Sequence, residues 1–147
     1  MNRTQALQKI QQLQEYIKNL PPEESTFDFE DGNGPIPAAR HTNPDGSEGG
    51  WVAKTAKVDP SAFIGPDARV FGNARVFKNA QVFGNAWVFD TARVYNNARV
   101  YDNARVYDNA RVFDTAQVYG NARVFPYISR TYCLVFVSYC KHRVWLP

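Results

Sequence analysis

A six-residue repeat runs through residues 68–125 and limits the architectures open to this chain. Its first units read ARVFGN, ARVFKN, AQVFGN, AWVFDT and ARVYNN, and the same pattern continues to ARVF at the end of the segment. A unit this short cannot bury an apolar face alone, so it must stack on its neighbours. The repeat therefore predicts an elongated array of stacked units.

Each unit reads as a short strand followed by a corner. Ala and Val lie two positions apart, a spacing that points both side chains to one face of a strand and does not fit a helix. The position after the aromatic residue holds Gly, Asp, Asn or Lys, and the first three of these tolerate positive φ at a corner. Such strands can coil so that each one pairs with the strand one turn later, about 4.8 Å away. The sequence predicts a mainly β parallel β-helix.

The segment Ile64-Gly65-Pro66-Asp67-Ala68-Arg69 resembles the hexapeptide-repeat family, and less regular units at 52–57 and 58–63 extend the pattern upstream. The resemblance points to bacterial and phage hexapeptide-transferase-like proteins. It implies a single-stranded, left-handed β-helix with triangular coils of three hexapeptides each. The handedness comes from the resemblance alone. On this basis residues 51–125 are expected to form about four to five coils.

An amphipathic helix is predicted within residues 1–21. Asn2 or Thr4 can cap it, and Pro21-Pro22 ends it. Isoleucines at heptad position a and leucines at d are typical of parallel dimers. The alternative is that the stripe packs on the first coil or on a neighbouring subunit. The stripe follows 4-3-4-3 spacing and consists of Ala6, Ile10, Leu13, Ile17 and Leu20.

The segments on either side of the repeats are less regular. Residues 22–50 are predicted to form a loop-rich leader in which Phe27 and Phe29 are docking anchors. Residues 40–51 resemble the segment just upstream of the coils in bacterial and phage hexapeptide proteins, and Trp51 is expected to cap the open end of the helix. Residues 126–147 contain no acidic side chain. They are either an apolar C-terminal cap or the product of a shifted reading frame that ended a longer array of repeats.

Charge and hydropathy indicate whether this chain is expected to enter a membrane or to be secreted. The net charge is +3, and residues 51–125 carry ten basic and six acidic side chains against four and eight in residues 1–50. No apolar run is long enough for a membrane span, and the N-terminus lacks a signal pattern. A cytoplasmic protein with no membrane partner is expected. Cys133 and Cys140 are expected to be reduced core residues.

Catalytic side chains are scarce in the sequence. Hexapeptide acyltransferases, by resemblance, act at clefts between the subunits of a trimer with a histidine base, and the metal enzymes of the family use three histidines. This chain has only His41 and His142, both outside the repeats. His41 is a weak catalytic candidate that would need a neighbouring subunit to complete a site. The sequence favours a non-catalytic module without metal or cofactor, with a hexapeptide-type acyltransferase as the alternative.

Positions 18 apart are expected to stack into ladders, and the ladders form three outward faces of the coils. The first and second faces are defined below by their candidate residues. The first face is the most basic, and its Arg and aromatic ladders suit an anionic, ring-bearing ligand such as a nucleotide or single-stranded nucleic acid. Interleaved Asp makes duplex nucleic acid an unsuitable partner. The ligand-binding candidates on the first face are Arg75, Phe77, Arg93, Tyr95, Arg111 and Phe113.

The second face is the least charged, so its burial costs least. The sequence predicts a homo-oligomer through this face, with a trimer favoured by the family resemblance. A nucleotide-binding module that uses the subunit clefts is a further alternative. The interface candidates are Gln81, Phe83, Arg99, Tyr101, Gln117 and Tyr119.

The third face carries the remaining ladder, which includes Arg69, Trp87, Arg105 and Arg123. Arginines stacked at about 5 Å repel one another, so all the ladders need compensation. The simplest expectation is that rings and corner aspartates, such as Asp90 and Asp102, neutralise them.

Overall fold

The computed structural model describes residues 1–21, 23–128 and 133–134, and it is mainly β with one N-terminal helix. The elements are α1 (Arg3–Lys18), β1 (Thr26–Asp28), β2 (Pro35–Thr42), β3 (Glu48–Ala53), β4 (Lys57–Val58), β5 (Phe63–Ile64), β6 (Arg69–Val70), β7 (Arg75–Phe77), β8 (Gln81–Val82), β9 (Trp87–Val88), β10 (Arg93–Tyr95), β11 (Arg99–Val100), β12 (Arg105–Val106), β13 (Arg111–Val112), β14 (Gln117–Val118), β15 (Arg123–Val124), β16 (Tyr127–Ile128) and β17 (Cys133–Leu134).

The strands from β3 to β15 coil into a β-solenoid of about four turns, which confirms the predicted β-helix. Each strand pairs in parallel with the strand one turn later, as in the register Arg75↔Arg93↔Arg111. Three sheets result, with strand orders β3-β6-β9-β12-β15, β4-β7-β10-β13 and β5-β8-β11-β14. The register repeats every three hexapeptides, as the family resemblance implies.

The core is a column of small and branched side chains inside the coils. Every repeat valine from Val70 to Val124 is fully buried, and Ile64 takes the same place in the first coil. The repeat alanines are buried beside them, from Ala68 to Ala122. Alternation between Ala, an outward residue and Val therefore places two apolar side chains of each unit in the interior.

Positive φ recurs at the corners, at the position two residues after each repeat valine from Val70 to Val118. Glycine reaches this conformation without strain, and Asp and Asn are the other residues that tolerate it best. Lys78 is the exception to this chemistry, with a φ of 57°. The predicted corner positions are confirmed at Gly72, Lys78, Gly84, Asp90, Asn96, Asp102, Asp108, Asp114 and Gly120.

The leader is more regular than the sequence predicts. Strands β1, β2 and β3 are antiparallel and extend one sheet of the solenoid, because β3 also pairs with β6. Phe29 is fully buried and stacks on Phe71 at 4.8 Å, which confirms its role as an anchor. Phe27 stacks on Trp51 at 4.7 Å. Trp51 pairs with Arg69 on the third face, so the expectation that it caps the open end is wrong.

Helix α1 begins at a complete capping box, in which Asn2 accepts from the Gln5 N–H and the Gln5 side chain accepts from the Asn2 N–H. No residue of α1 is buried. Packing of its apolar stripe on the first coil of the same chain, one of the two predicted alternatives, is therefore absent from this structure.

The predicted cap or altered end at 126–147, together with Cys140 and His142, falls largely outside the described residues. Within that segment β16 and β17 pair in an antiparallel manner.

Candidate functional site

The first face is formed by β4, β7, β10 and β13, and it carries a continuous column of basic residues. Lys57 pairs with Arg75, Arg75 with Arg93, and Arg93 with Arg111, all in parallel register. Neighbouring strands in such a sheet lie about 4.8 Å apart. The structure therefore brings the three predicted arginines into one row, with Lys57 at its start.

A column of stacked rings accompanies this basic row. Phe77 and Tyr95 are nearly parallel, with ring centroids 4.8 Å apart, and Tyr95 and Phe113 follow at 5.4 Å. All three rings are half-buried. Each inner ring covers part of its neighbours, so the rings expose less apolar surface than the sequence suggests. A ligand can reach the face of a ring only at an end of the column.

Such an open ring face lies at the start of the column. A cavity of about 360 Å³ borders Phe77 together with Lys57, Val58, Arg75 and Pro60. In the ladder, Tyr95 stacks on one side of Phe77, whereas the coil before it offers Asp59 and Pro60 and no ring. The cavity thus combines an aromatic surface with two cationic side chains and one carboxylate, that of Asp59, which accepts from the Lys78 N–H at 3.3 Å.

The corner aspartates do not neutralise the first face. The Asp90 carboxylate accepts from the Asp108 N–H at 3.2 Å, and the Asp102 carboxylate accepts from the Gly120 N–H at 3.0 Å. These contacts join successive corners and involve no arginine. Within the described part of the chain, no ion pair or cation–π contact involves the basic row of the first face. The neutralisation of arginines by rings and aspartates, expected for all the ladders, does not occur on the first face.

Such neutralisation of arginines does occur on the third face. The Arg69 guanidinium lies 5.3 Å from the Phe27 ring and 5.0 Å from the Trp87 ring, and it also contacts Glu30 at 3.1 Å. Arg105 lies 4.4 Å from the same Trp87 ring. Since these cations already have aromatic and acidic partners, the third face offers an anion less unpaired charge than the first.

The second face is also assembled in register. Phe83 stacks on Tyr101 at 5.0 Å, and Tyr101 stacks on Tyr119 at 5.4 Å. The Tyr101 hydroxyl donates to the Gln117 side chain at 3.3 Å. The remaining two candidates share this face, since Gln81 pairs with Arg99. Its use as an oligomer interface stays a prediction, and the half-buried rings weaken the argument from exposed apolar area.

His41 has a structural contact at the first coil. Its Nε2 atom lies 3.0 Å from the Ala62 carbonyl oxygen, which can only accept, so the Nε2–H donates there. The nearby Asn43 side chain is buried, donates to the Ile64 carbonyl at 3.0 Å and accepts from the Ile64 N–H at 2.8 Å. Together they satisfy the free edge of β5. Sequence reasoning missed Asn43, whose only signal is its place in an Asn-Pro-Asp-Gly turn.

That turn is held by Asp45. Its carboxylate accepts from the Ser47 hydroxyl and from the Ser47 N–H, at 2.6 Å and 2.9 Å. The Ser47 hydroxyl, and then the Ser47 backbone, hold the pKa of Asp45 below its ordinary value. The charged form of Asp45 therefore supports the loop that places Asn43 on β5.

Comparison with known proteins agrees with this architecture. The family model described as the YdcK beta solenoid repeat matches residues 92–105, 104–114 and 116–127. The chain carries β-solenoid repeats. The matched residues lie almost entirely within the solenoid and span less than half of the chain, and they do not confirm the finer resemblance to hexapeptide transferases. No match was found among curated proteins or among solved structures.

The described residues offer neither a metal site nor a membrane-spanning helix. Across residues 1–21, 23–128 and 133–134, no group of three or more His, Cys, Asp or Glu side chains is arranged to hold a metal ion. Over the same residues, no helix has the length and apolar character needed to cross a membrane.

Proposed function

We propose that this protein is a non-catalytic binding module whose first face takes an anionic ligand that bears an aromatic ring, with a nucleotide as the chemical type. The solenoid supplies a rigid scaffold for this purpose, because every coil is hydrogen-bonded to the next. The observation that carries the proposal is the basic row of the first face, which lacks acidic partners among the described residues.

Charge repulsion gives the row a reason to bind an anion. Two unit charges about 5 Å apart repel by about 1 kcal/mol even in bulk water, and by more near a protein surface. Arg75, Arg93 and Arg111 lie in register on successive strands, whose backbones are about 4.8 Å apart, so their charges are held close to one another along the column. A polyanion along the row would relieve the repulsion and accept charge-assisted hydrogen bonds, to which guanidinium groups are well suited.

The ring column favours a ligand with one ring over a strand of many bases. Stacking of a base on an aromatic side chain contributes about 1–3 kcal/mol. The inner faces of Tyr95 are already covered by Phe77 and Phe113, so successive bases cannot insert between them. The open face of Phe77 can receive one ring, while phosphates extend from Arg75 toward Arg93.

The test compares two arginines at the same position of the repeat. Arg93 on the first face and Arg99 on the second face are both exposed. Arg93→Gln should weaken binding of ATP roughly tenfold, because a hydrogen bond to a charged group contributes about 1.5–3 kcal/mol. Arg99→Gln should leave the affinity nearly unchanged. Isothermal titration calorimetry of both variants and the unmodified protein gives the comparison.

Three results would contradict the proposal: no binding of ATP to the unmodified protein, equal losses in the two variants, or loss only in Arg99→Gln. Inorganic tripolyphosphate serves as the ringless control. It should bind more weakly than ATP, because it cannot stack on Phe77.

A further inference from the structure

The largest exposed apolar surface of the described chain lies on α1 and its flanks, not on the solenoid. Six large apolar side chains there are between 47% and 66% exposed. They fall on one side of the helix at spacings of three and four residues, which makes a stripe along its length. These side chains are Leu7, Ile10, Leu13, Tyr16, Ile17 and Leu20.

Nothing among residues 1–21, 23–128 and 133–134 covers this stripe. An isolated helix of about 15 residues is marginal in water, and most helical stability in proteins comes from packing of an apolar face. A cavity of about 890 Å³ lies at the first coil beside β4, the end strand of its sheet, and is lined by Val52, Ala56 and Val58 among others. Helices do cover strand edges in other proteins, but no residue of α1 lines this cavity and the apolar side chains of the stripe stay exposed.

We infer that α1 pairs with α1 of a second copy of this chain, as a parallel two-stranded coiled coil. Ile10 and Ile17 take heptad position a, and Leu13 and Leu20 take position d. Ile at a with Leu at d favours two strands in parallel. Both solenoids then leave the pair from the same end. This inference is independent of the ligand proposed for the first face.

The flanking positions are compatible with this pairing. In a parallel pair, Lys9 at position g meets Gln14 at position e of the other copy, so no like charges face each other there. Glu15 lies at position f and points away from the seam. Arg3, seven residues before Ile10, lies at position a and faces Arg3 of the other copy in the first turn. Like charge therefore opposes the pair only at the N-terminal end of the helix.

The buried area is near the lower limit for a specific pair. Six side chains of this size, each about half exposed, offer on the order of 500–600 Å² per copy, against a total of about 1,000–1,200 Å² for small specific interfaces. Association should thus depend on concentration. An anionic membrane is the competing occupant, but the helix is rich in glutamine and carries only Arg3, Lys9 and Lys18 as cations, fewer than interfacial helices carry.

Sedimentation equilibrium of the full chain tests the inference. The unmodified protein should approach twice the monomer mass as concentration rises. Ile10→Glu combined with Ile17→Glu should weaken association by more than roughly 100-fold, because it buries like charges in the seam. The matched control is Gln8→Glu combined with Gln12→Glu, which adds the same charge at outward positions and should not change the mass.

Folding is monitored separately by the thermal melt of the β-solenoid, which should be the same in both double variants because α1 contributes no buried residue. The inference is overturned by a monomer at all concentrations, by a trimer, by a dimer that survives Ile10→Glu with Ile17→Glu, or by binding of the unmodified protein to anionic phospholipid vesicles in place of self-association.

A third variant tests the orientation of the pair. Gln14→Glu places a carboxylate opposite Lys9 of the other copy in the parallel arrangement, and it should tighten association about two- to fivefold. In an antiparallel pair, positions e face each other, so the same change would leave association unaltered or weaken it, which would overturn the parallel arrangement.

Discussion

Replacement of Val94 by Asp is expected to unfold the solenoid. The Val94 side chain is fully buried and is paired in register with Val76 on one side and Val112 on the other. An isolated carboxylate at this position has no hydrogen-bond partner in an apolar column, which costs several kcal/mol against a total stability of about 5–15 kcal/mol. Because each coil is stabilised mainly by its neighbours, the damage spreads to both of them.

The adjacent position provides the matched control. Arg93 points outward and is exposed, so Arg93→Gln should change the free energy of unfolding by less than about 1 kcal/mol. Thermal melts followed by circular dichroism separate the two variants. Melting temperatures that are equally mild in both would show that the inward assignment of the repeat valines is wrong.

Gly50→Ala is expected to disrupt the contact between the leader and the first coil. A Cβ atom at Gly50 would lie 2.1 Å from the Ala68 carbonyl oxygen and 2.5 Å from the Gly65 carbonyl oxygen. Both atoms belong to the backbone and cannot move aside as a side chain can. Forced backbone shifts of this kind cost about 1–3 kcal/mol or more. The loss should appear as a lower midpoint in urea unfolding.

Gly120 is the control for this change. A Cβ atom there would meet nothing within 4 Å, but its φ is +65°, so Gly120→Ala should cost only the strain of the left-handed conformation, about 1–2 kcal/mol. An unfolding midpoint for Gly50→Ala equal to that of the unmodified protein would mean that β3 does not approach the first coil as closely as described.

The repetitive part of the fold could be predicted because its determinants are local. Ala92 and Val94 show their inward orientation through a spacing of two, and Asn96 marks a corner through its tolerance of positive φ. Once three units make one turn, the ladders of the first face follow by counting. This is why the predicted candidates from Arg75 to Phe113 lie in one row.

The parts that could not be predicted depend on contacts distant in sequence. Gly50 looks like an ordinary loop glycine until β3 lies against the backbone of the first coil. Asn43 acts through its side chain on Ile64, and no sequence pattern marks that pairing. The partner of Asp102 was predicted to be an arginine and is a backbone N–H, because the corner of the next coil is closer than any guanidinium.

The candidate site could likewise be predicted only in part from the sequence. Register and residue type identify the basic row, whereas the absence of compensation on the first face depends on where the carboxylates of the folded chain make their contacts, and none of the described ion pairs involves that row. The open face of Phe77 likewise depends on Asp59 and Pro60 standing where the ladder would require a ring. The stacking site exists because the ring column begins at Phe77 and the coil before it supplies no ring.

The most direct test of binding on the first face is a titration of the unmodified protein with ATP followed by backbone amide chemical shifts in NMR. Shifts are expected to concentrate in β4, β7 and β10, and to be largest around Lys57, Arg75 and Phe77 beside the cavity. Strands β8, β11 and β14 of the second face should change little. Shifts confined to the second face, the third face or α1, or no shifts at all, would contradict the proposed function.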